Sequence, residues 1–491
     1  MKNFESYEIV VGLEVHAQLL TKTKLFCSDS ILFGKEPNSN ISPITLAHPG
    51  TLPKMNKQAI EFAIKLGLAC HSEIEKQNYF ARKNYFYPDL PKGYQVSQHT
   101  TPICKGGFVK IKTSGVEKAI QLNRIHMEED AGKSLHDVYM ENSALDFNRA
   151  GTPLVEIVSE PDLRSGEEAF TYLTELRKLV RYLEVCDGNM EEGSFRCDAN
   201  VSVRKKGDSK LGTRVEVKNL NSIRNVKHAI EYEAQRLIEI LEKGEVIIQQ
   251  TRSFDADTGT TFAIRDKEDA DDYRYFPEPD LTPFNLTDEF IENIKRTIPE
   301  LQEERVKKYS TNYQLSAYDA MALTEEKDFA DYFEKLVSFL PSLSGEGLGV
   351  RPKSVANWML GPVKSWLNEN NKEIKEFPLR ATDLVQLIKL VEDNKLSFTS
   401  AASKVFPLMI ENPGADPYQL TKQLNLVQAS NLDYILPIVD EVILQLKEKV
   451  KEYQKGKKGL LALFVGEVIK RSKGKADPKV VNEILLEKLK S

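Results

Sequence analysis

Apolar and polar positions alternate with a period of two through much of the first 290 residues. Three such segments are Leu154–Val158, Ala199–Arg204 and Thr213–Lys218. Successive side chains of a β-strand point to opposite faces, so each segment is predicted to be a strand with unlike faces. Turn residues separate these segments, as expected for neighbouring strands of one sheet.

Two helices are predicted within this strand-rich region. Ser165 and Glu168 have the spacing of a capping box, and an amphipathic stretch follows them to about Val185. The second helix is predicted from near Ser222 to Lys243, where a glycine ends it. Many strands with few helices predict an α+β fold with a large, mostly antiparallel sheet.

The hydrophobic period becomes helical from Asp288 onward, which predicts a change of domain. The segment Asn412–Pro417, rich in proline and glycine, predicts a further boundary. We therefore predict an α+β domain over residues 1–290, an all-α helical domain over residues 291–411 and a small all-α tail domain over residues 412–491.

The composition is that of a globular protein: of 491 residues, 41% are hydrophobic and 29% are charged. No apolar run is long enough to span a bilayer, and the N-terminus lacks signal- and transit-peptide features, so we expect a cytoplasmic protein without membrane contact. Five scattered cysteines predict reduced thiols. Because the net charge is −6, binding to nucleic acid would need a local basic patch.

The first candidate site residues lie in strands. Glu14 and His16 share the polar face of a strand over Tyr7–Leu19, where they could bind a metal ion or an anionic substrate, or simply contact water. Gly12 on the same face would let a ligand approach closely. Glu156 is flanked by aliphatic residues, and a buried carboxylate without a partner is costly. A metal, an arginine or a raised pKa would remove that cost.

Further charged positions extend this pattern. The acids Glu128–Asp130 repel one another, so they indicate either a divalent-cation site or an acidic loop in water. Two strands carry alternating charges, which would form cross-strand ion pairs or line a groove for phosphates and carboxylates. The candidate substrate or ATP contacts in these strands are Arg196, Asp198, Arg214 and Lys218.

Two segments interleave aromatic and charged residues, Arg82–Tyr94 and Asp269–Pro277. They could stack on nucleobases and contact phosphates, or form rigid loops packed on the sheet. The tail carries a basic stretch that is either a solvated helix face or a docking surface for a polyanion. Its candidate tRNA-binding residues are Lys457, Lys458, Lys470, Arg471 and Lys473. No phosphate loop, dinucleotide fingerprint or nucleophile elbow is present, so ATP chemistry would need a less common site.

Six segments, in this order, resemble motifs of the B subunits of tRNA-dependent amidotransferases. They are Val11–His16, Arg82–Asp89, His126–Lys133, Arg149–Asp162, Met190–Asn200 and Asp272–Pro277. The resemblance extends to the tail at Gly474–Pro478 and so covers essentially the whole chain. It implies a cradle domain, a helical domain and a tRNA-binding tail domain over the three predicted ranges.

The resemblance also implies a reaction. ATP phosphorylates the side-chain carboxylate of misacylated Glu-tRNA(Gln), and in many members Asp-tRNA(Asn), and ammonia then displaces the phosphate. A separate glutaminase, the A subunit, releases this ammonia from glutamine, and it arrives through a channel in a complex that includes a small C subunit. The chain is thus expected to belong to a glutamine-hydrolysing carbon–nitrogen ligase. The alternative is a non-catalytic tRNA-binding scaffold.

By motif position, the resemblance implies a Mg²⁺ or Mn²⁺ ion bound by Glu14, His16, Glu129 and Glu156. These four side chains are expected to converge on one point of the polar sheet face. Glu129 also matches an acid thought to gate ammonia delivery, and Lys83 and Lys92 match lysines near the channel or site. Phosphoryl transfer depends on metal and positioned charge more than on a nucleophile, which suits such a set.

One departure from the family concerns zinc. Some members bind structural zinc through four cysteines near the N-terminus. Here only Cys27 remains, and Asp29, Ser42 and Thr45 occupy what look like the other three positions. A single thiolate cannot build that site, so we predict no zinc.

Overall fold

A computed structural model describes residues 4–135, 142–266, 273–339, 351–427, 432–472, 476 and 478–489. The chain forms two compact units, Met1–Leu301 and Gln302–Ser491. The first contains a large sheet with helices and the second is helical, which confirms the predicted α+β class followed by helices. No helix among these residues is long and apolar enough to cross a membrane.

The strands of the first unit begin with a long central one and include several two-residue pieces. In chain order they are β1 Tyr7–Gln18, β2 Glu73–Ile74, β3 Gln77–Asn78, β4 Ala81–Asn84, β5 Tyr94–Ser97, β6 Cys104–Lys105, β7 Phe108–Thr113, β8 Val116–Glu129, β9 Lys133–Leu135, β10 Ala144–Asp146, β11 Pro153–Ser159, β12 Phe195–Lys205, β13 Val215–Leu220, β14 Gln250–Asp255, β15 Thr260–Asp266, β16 Phe276–Pro277 and β17 Phe284–Asn285. The strands predicted from the alternation correspond to β11, β12 and β13.

β1 lies inside a thirteen-stranded sheet whose main order is β15-β14-β13-β12-β1-β11-β8-β5-β4-β16. β6 and β7 also pair with β8, and β2 pairs with β6. The neighbours pair antiparallel except β13 and β14, which run parallel. The prediction of a mostly antiparallel sheet is therefore confirmed. Strands β9 and β10 form one small sheet, and β3 and β17 another.

Helices cover the apolar face of the sheet. They are α1 Lys57–Ala69, α2 Gly166–Tyr182, α3 Ile223–Glu242 and α4 Asp288–Lys295. The Ser165 hydroxyl accepts a hydrogen bond from the Glu168 N–H at 3.1 Å, and Ser222 caps α3 in the same way. Both predicted helices are confirmed. Val11, Leu13 and Val15 of β1 are buried in the core beneath them, which leaves the even-numbered residues of β1 on the other face.

The second unit consists of short helices. They are α5 Gln302–Asn312, α6 Ala317–Leu323, α7 Lys327–Ser338, α8 Pro352–Trp358, α9 Lys364–Asn370, α10 Ala381–Glu392, α11 Phe398–Ser400, α12 Phe406–Glu411, α13 Pro417–Gln423, α14 Leu432–Gln445, α15 Lys447–Gln454, α16 Leu461–Arg471 and α17 Pro478–Lys488. A π-turn joins α8 to α9 at Pro362, and another joins α11 to α12 before Pro407. Proline lacks an N–H and crowds the preceding turn, so each helix widens there.

The two compact units divide after Leu301, and the three predicted domain ranges, with bounds at residues 290 and 411, stay a prediction. α4 packs on α1 and buries Ile294, so the first unit extends to Leu301. α13 packs against the core that begins at Tyr309, and a separate core begins only at Ile435. The proline- and glycine-rich segment before α13 is a turn between helices of one core, because Asp416 caps α13 directly after it.

Candidate metal-dependent active site

Ionisable side chains meet across four strands on the polar face of the sheet. In the antiparallel register, His16 of β1 lies opposite Glu156 of β11 on one side and Arg196 of β12 on the other. Glu156 in turn lies opposite His126 of β8. Directly opposed residues of antiparallel strands have Cβ atoms about 4.5–5.5 Å apart, so these side chains are held in contact by the backbone.

His16, Glu128 and Glu156 form the first acid cluster, with ligand atoms within 4.8 Å of one another. One Glu156 oxygen lies 3.5 Å from His16 Nε2 and 3.3 Å from His126 Nε2. Glu128 lies 3.3 Å from His126 Nε2 and accepts a hydrogen bond from the Ser97 hydroxyl at 2.7 Å. The two carboxylates supply oxygen ligands of the kind that Mg²⁺ and Mn²⁺ prefer, and the imidazole nitrogen of His16 is a third possible metal ligand.

Glu14, Asp198 and Glu216 form the second acid cluster, also within 4.8 Å. Lys218 Nζ donates to Asp198 at 2.5 Å and lies 3.4 Å from Glu216. Asn200 donates to Glu14 at 2.9 Å, while its Oδ1 atom is buried with no hydrogen-bond partner among the described residues. A buried acceptor without a donor, beside three acids, is an arrangement that a bound cation would complete.

The first acid cluster is anionic at neutral pH. Burial by itself would raise the pKa of Glu156, but the charges and hydrogen bonds of His126 and His16 hold its pKa well below the usual range. Burial would likewise lower the pKa of His126, yet its attraction to Glu156 and Glu128 raises that pKa to about 9. The two carboxylates thus stay ionised, and a protonated imidazole supplies part of the positive charge that they need.

In the second acid cluster, neighbouring carboxylates repel the charge of Glu14. Burial, followed by the charges of Glu156, Glu216 and Asp198, raises the pKa of Glu14 despite the opposing charge of Lys218. Removing that repulsion would favour the ionised form of Glu14. A divalent cation bound between these acids would have that effect.

The structure does not bring Glu129 into either cluster, so the expected convergence of four ligands requires correction. Alternation along β8 directs Glu128 to the polar face and Glu129 to the opposite one. Glu129 accepts hydrogen bonds from Lys92 Nζ and, at 3.0 Å, from the Val96 N–H. Glu128 takes the position expected for Glu129, and Glu14 lies in the second acid cluster. Period-two alternation from His126, which places Glu128 and not Glu129 on the same face of β8, was the sequence signal that could have distinguished the two glutamates.

Lys83 and Lys92 lie on different sides of this region. Lys83 lies opposite Gln95 in the pairing of β4 with β5, and Gln95 donates a hydrogen bond to Glu128 at 3.1 Å, so Lys83 neighbours the first acid cluster. Burial would lower the pKa of Lys83, but nearby charges, that of Glu128 first, raise it. Lys92 and Glu129 instead line a separate cavity of about 120 Å³, together with the buried Lys24.

The four candidate substrate contacts lie in three different settings. Arg196 binds Asp130 through two hydrogen bonds of 2.8 and 3.1 Å and so braces the end of β8. Asp198 belongs to the second acid cluster, and Lys218 binds it there. Arg214 is exposed, makes no ion pair with the described residues, and lines a cleft of about 390 Å³ that also contains Glu14 and Asn200.

The basic residues of the tail are partly paired. Arg471 contacts Glu441 at 3.1 Å and Glu467 at 3.2 Å. Lys457 contacts an acid in α15, whereas Lys458 lies over a tyrosine ring and Lys470 is exposed. Lys473 lies outside the described residues.

Cys27, Asp29 and Thr45, three of the four positions compared above with zinc ligands, form a hydrogen-bonded group. Thr45 donates to Asp29 at 2.5 Å and lies 3.5 Å from the Cys27 sulfur. Lys24 Nζ lies 3.4 Å from the Thr45 hydroxyl. An ammonium group therefore stands beside the one thiol and the one carboxylate, and this donor set does not fit zinc, which prefers thiolates and imidazoles.

Adjacent acid clusters on a rigid sheet are typical of enzymes that transfer phosphoryl groups with divalent cations. Two family models match this chain: "GatB/GatE catalytic domain" over residues 9–292 and "GatB domain" over residues 331–489. The chain belongs to the GatB family.

Curated relatives extend over nearly the full length. A protein from Thermodesulfovibrio yellowstonii is 47% identical over 484 residues, 99% of each chain. Proteins from Geotalea daltonii and Chlorobium chlorochromatii are each 49% identical over 98% of this chain and 99% of their own. Each of the three is named as the B subunit of an aspartyl/glutamyl-tRNA(Asn/Gln) amidotransferase.

We expect the Asp130–Arg196 pair to stabilise the site only above acidic pH. Burial would raise the pKa of Asp130, but the charges of Arg196 and Arg149 and the accepted hydrogen bonds lower it from 3.8 to about 2. Because this pKa is lower in the folded state, the stabilisation, roughly 2 kcal/mol, is complete above pH 4 and is lost as pH falls toward 2. Asp130→Asn should therefore differ most from wild type at pH 7.

The measurement is urea denaturation in a chelating buffer, followed by the β-sheet signal in circular dichroism, at pH 7 and near pH 3. Asp208→Asn, an exposed position, is the control. An equal gap between Asp130→Asn and wild type at both pH values would contradict the expectation.

Proposed function

We propose that this chain activates the side-chain carboxylate of glutamate esterified to tRNA(Gln) with ATP and converts it to the amide, with Asp-tRNA(Asn) as a second substrate. Its membership in a family described as catalytic, together with the first acid cluster, carries the proposal. The names of its relatives support the substrate class. Aminoacyl-tRNAs are used in the cytoplasm, where we infer that the chain acts.

The reaction has two steps. An oxygen of the substrate carboxylate attacks the γ-phosphorus of ATP, ADP leaves, and an acyl phosphate forms. Ammonia then attacks the carbonyl carbon, loses a proton, and phosphate leaves as the amide forms. His16, Glu128 and Glu156 would hold a Mg²⁺ or Mn²⁺ ion, which supplies positive charge for the transferred phosphoryl group.

The neighbouring groups suit the same reaction. Lys83 lies beside the first acid cluster, where its ammonium can face a phosphate or the substrate carboxylate. Lys218 and Arg214 lie on the side of the second acid cluster, and Arg214 lines the cleft beside Glu14. We infer that this cleft receives the nucleotide, because an unpaired guanidinium and adjacent acids can bind phosphates directly and through a cation.

Glu129 and Lys92 support a role in ammonia delivery. They pair with each other on the other side of β8 from the first acid cluster, in a cavity of about 120 Å³. We infer that ammonia from the glutaminase, the A subunit, passes this pair in a complex that also contains a small C subunit. A non-catalytic scaffold, the alternative from the sequence, is not supported, because the first unit matches a catalytic domain.

We expect Glu156→Gln and Glu128→Gln to lower amidation of Glu-tRNA(Gln) by roughly 100-fold or more, since each removes a charge that the phosphoryl transfer needs. The loss should be the same with glutamine or with ammonium chloride as the nitrogen source. Glu129→Gln should lose glutamine-dependent amidation and recover part of it with ammonium chloride. The assay uses the complex assembled with its partner subunits.

Glu117→Gln is the matched control, because Glu117 is an exposed acid on the same strand β8. Normal amidation by Glu156→Gln with either nitrogen source would overturn the proposed reaction. An equal loss in Glu129→Gln with both sources would overturn the proposed ammonia route.

We also propose that the chain folds without zinc, because Thr45 bonds to both Lys24 and Asp29 at the positions compared with zinc ligands. Elemental analysis of the purified chain should give less than about 0.1 zinc per molecule, and Cys27→Ser should fold normally. Stoichiometric zinc that Cys27→Ser removes would contradict this.

For the tail we expect that truncation after Leu426 weakens tRNA binding about tenfold or more and leaves assembly with the partner subunits intact, because basic side chains that contact phosphates are removed. Leu426 belongs to the preceding core, so this truncation spares it. Filter binding at two salt concentrations measures the effect.

A second test uses the intact chain. The double substitution of Lys458→Ala and Lys470→Ala should weaken tRNA binding. Lys404→Ala should leave tRNA binding unchanged, because Lys404 is an exposed lysine outside the tail. Unchanged tRNA affinity after truncation would refute the tail's role.

A further inference from the structure

The two aromatic and basic segments of the sequence come together beside the first acid cluster. β16 pairs with β4 in register, with Phe276 opposite Arg82. The Asn84 side-chain amide donates to the carbonyl oxygens of Tyr273 and Arg274 at 3.1 and 2.8 Å. Segments almost 190 residues apart thus form one surface.

Five rings on this surface form a continuous series, which we call the aromatic patch: Tyr87, Tyr85, Tyr273, Tyr275 and His99. Successive ring centres are 5.7, 6.3, 6.1 and 4.0 Å apart in that order. His99 and Tyr275 are stacked within 9° of parallel, and His99 is exposed. The other three pairs meet edge to face, at 66° to 77°, so their rings present faces in different directions, and a nucleobase is a flat ring that can stack on such a face.

The backbone at the patch is in a strained conformation. Arg274 has a φ of 45°, in the left-handed region that residues with side chains seldom adopt. The two hydrogen bonds from Asn84 hold it there, between Tyr273 and Tyr275. Strain of this kind persists where the surroundings impose it and is concentrated at functional positions.

Positive charge surrounds the patch. Lys83 Nζ lies 5.0 Å from the Tyr273 ring centre, and the Arg274 side chain is exposed. Aromatic rings among such cations are the combination that binds single-stranded nucleic acid, with bases on the rings and phosphates at the cations.

The patch lies close to the first acid cluster. The Tyr85 hydroxyl donates to Gln95 Oε1 at 3.4 Å, and Gln95 Nε2 donates to Glu128 at 3.1 Å. A glutamyl group spans roughly 6–7 Å from its ester oxygen to its side-chain carboxylate, given bonds of about 1.5 Å. The terminal ribose of the tRNA must therefore lie within that distance of the carboxylate that reacts.

We propose that the aromatic patch binds the single-stranded 3′ end of the tRNA by stacking its last bases, so that the aminoacyl group reaches the first acid cluster. The inference rests on the proposed function, since it assumes that the reacting carboxylate is carried by tRNA. Stacking is tolerant of sequence, which suits an end shared by different tRNAs.

The experiment uses the complex assembled with its partner subunits and a tRNA in which 2-aminopurine replaces the terminal adenine. Without ATP, binding should quench the 2-aminopurine fluorescence, because the base stacks on a ring. Tyr275→Ala and His99→Ala should reduce the quenching and raise the KM for aminoacyl-tRNA about tenfold, the effect of one lost stacking contact. Tyr275→Phe should behave like wild type, and the KM for ATP should not change in any of these variants.

Tyr318→Ala is the matched control, because Tyr318 is 79% exposed in the second unit. Wild-type quenching and KM for aminoacyl-tRNA in both Tyr275→Ala and His99→Ala would overturn the proposal. A parallel rise in the KM for ATP would also overturn it, since that indicates a general disturbance of the site. The quenching is measured without ATP, so an absence of quenching would contradict the binding of the 3′ end at the patch but not the proposed reaction. A loss of amidation in Glu156→Gln, in turn, does not affect the quenching test.

Discussion

The structure depends on one constraint: Glu156 is a carboxylate in the middle of a buried strand and must stay ionised. Its oxygen lies within 3.5 Å of an imidazole on each neighbouring strand. Burying a charge without partners would cost several kcal/mol, so β1, β11 and β8 must keep a register that supplies both histidines. A slip of one residue would turn the histidines to the opposite face.

The same sheet also keeps the first acid cluster apart from the pair of Glu129 and Lys92. Glu128 and Glu129 are adjacent in sequence, yet alternation sends one to the first acid cluster and the other to Lys92. The end of β8 is braced by the two hydrogen bonds between Arg196 and Asp130. A rigid sheet thus holds phosphoryl-transfer groups on one side and the proposed ammonia route on the other, which suits a reaction with two successive steps.

Much of the fold was predictable from local patterns. The strands β11, β12 and β13 follow from period-two alternation, and the caps at Ser165 and Ser222 follow from short-range hydrogen bonding. The domain boundaries were less predictable, because proline and glycine mark any turn. Whether α13 belongs to one core or the next depends on tertiary packing, which the Asn412–Pro417 segment does not encode locally.

For the site, the sequence by itself determined the residue types and their faces: Glu14 and His16 on one face of β1, and an acid within an aliphatic strand at Glu156. Alternation is a property of each strand alone, so one sequence suffices for it. Only the tertiary structure decided which strands are neighbours and in what register. Pairing between β8, β11, β1 and β12 brought Glu128 together with His16 and Glu156 and divided the acids into two clusters. Pairing of β16 with β4 joined the distant aromatic segments, because such contacts are set by packing across the whole sheet.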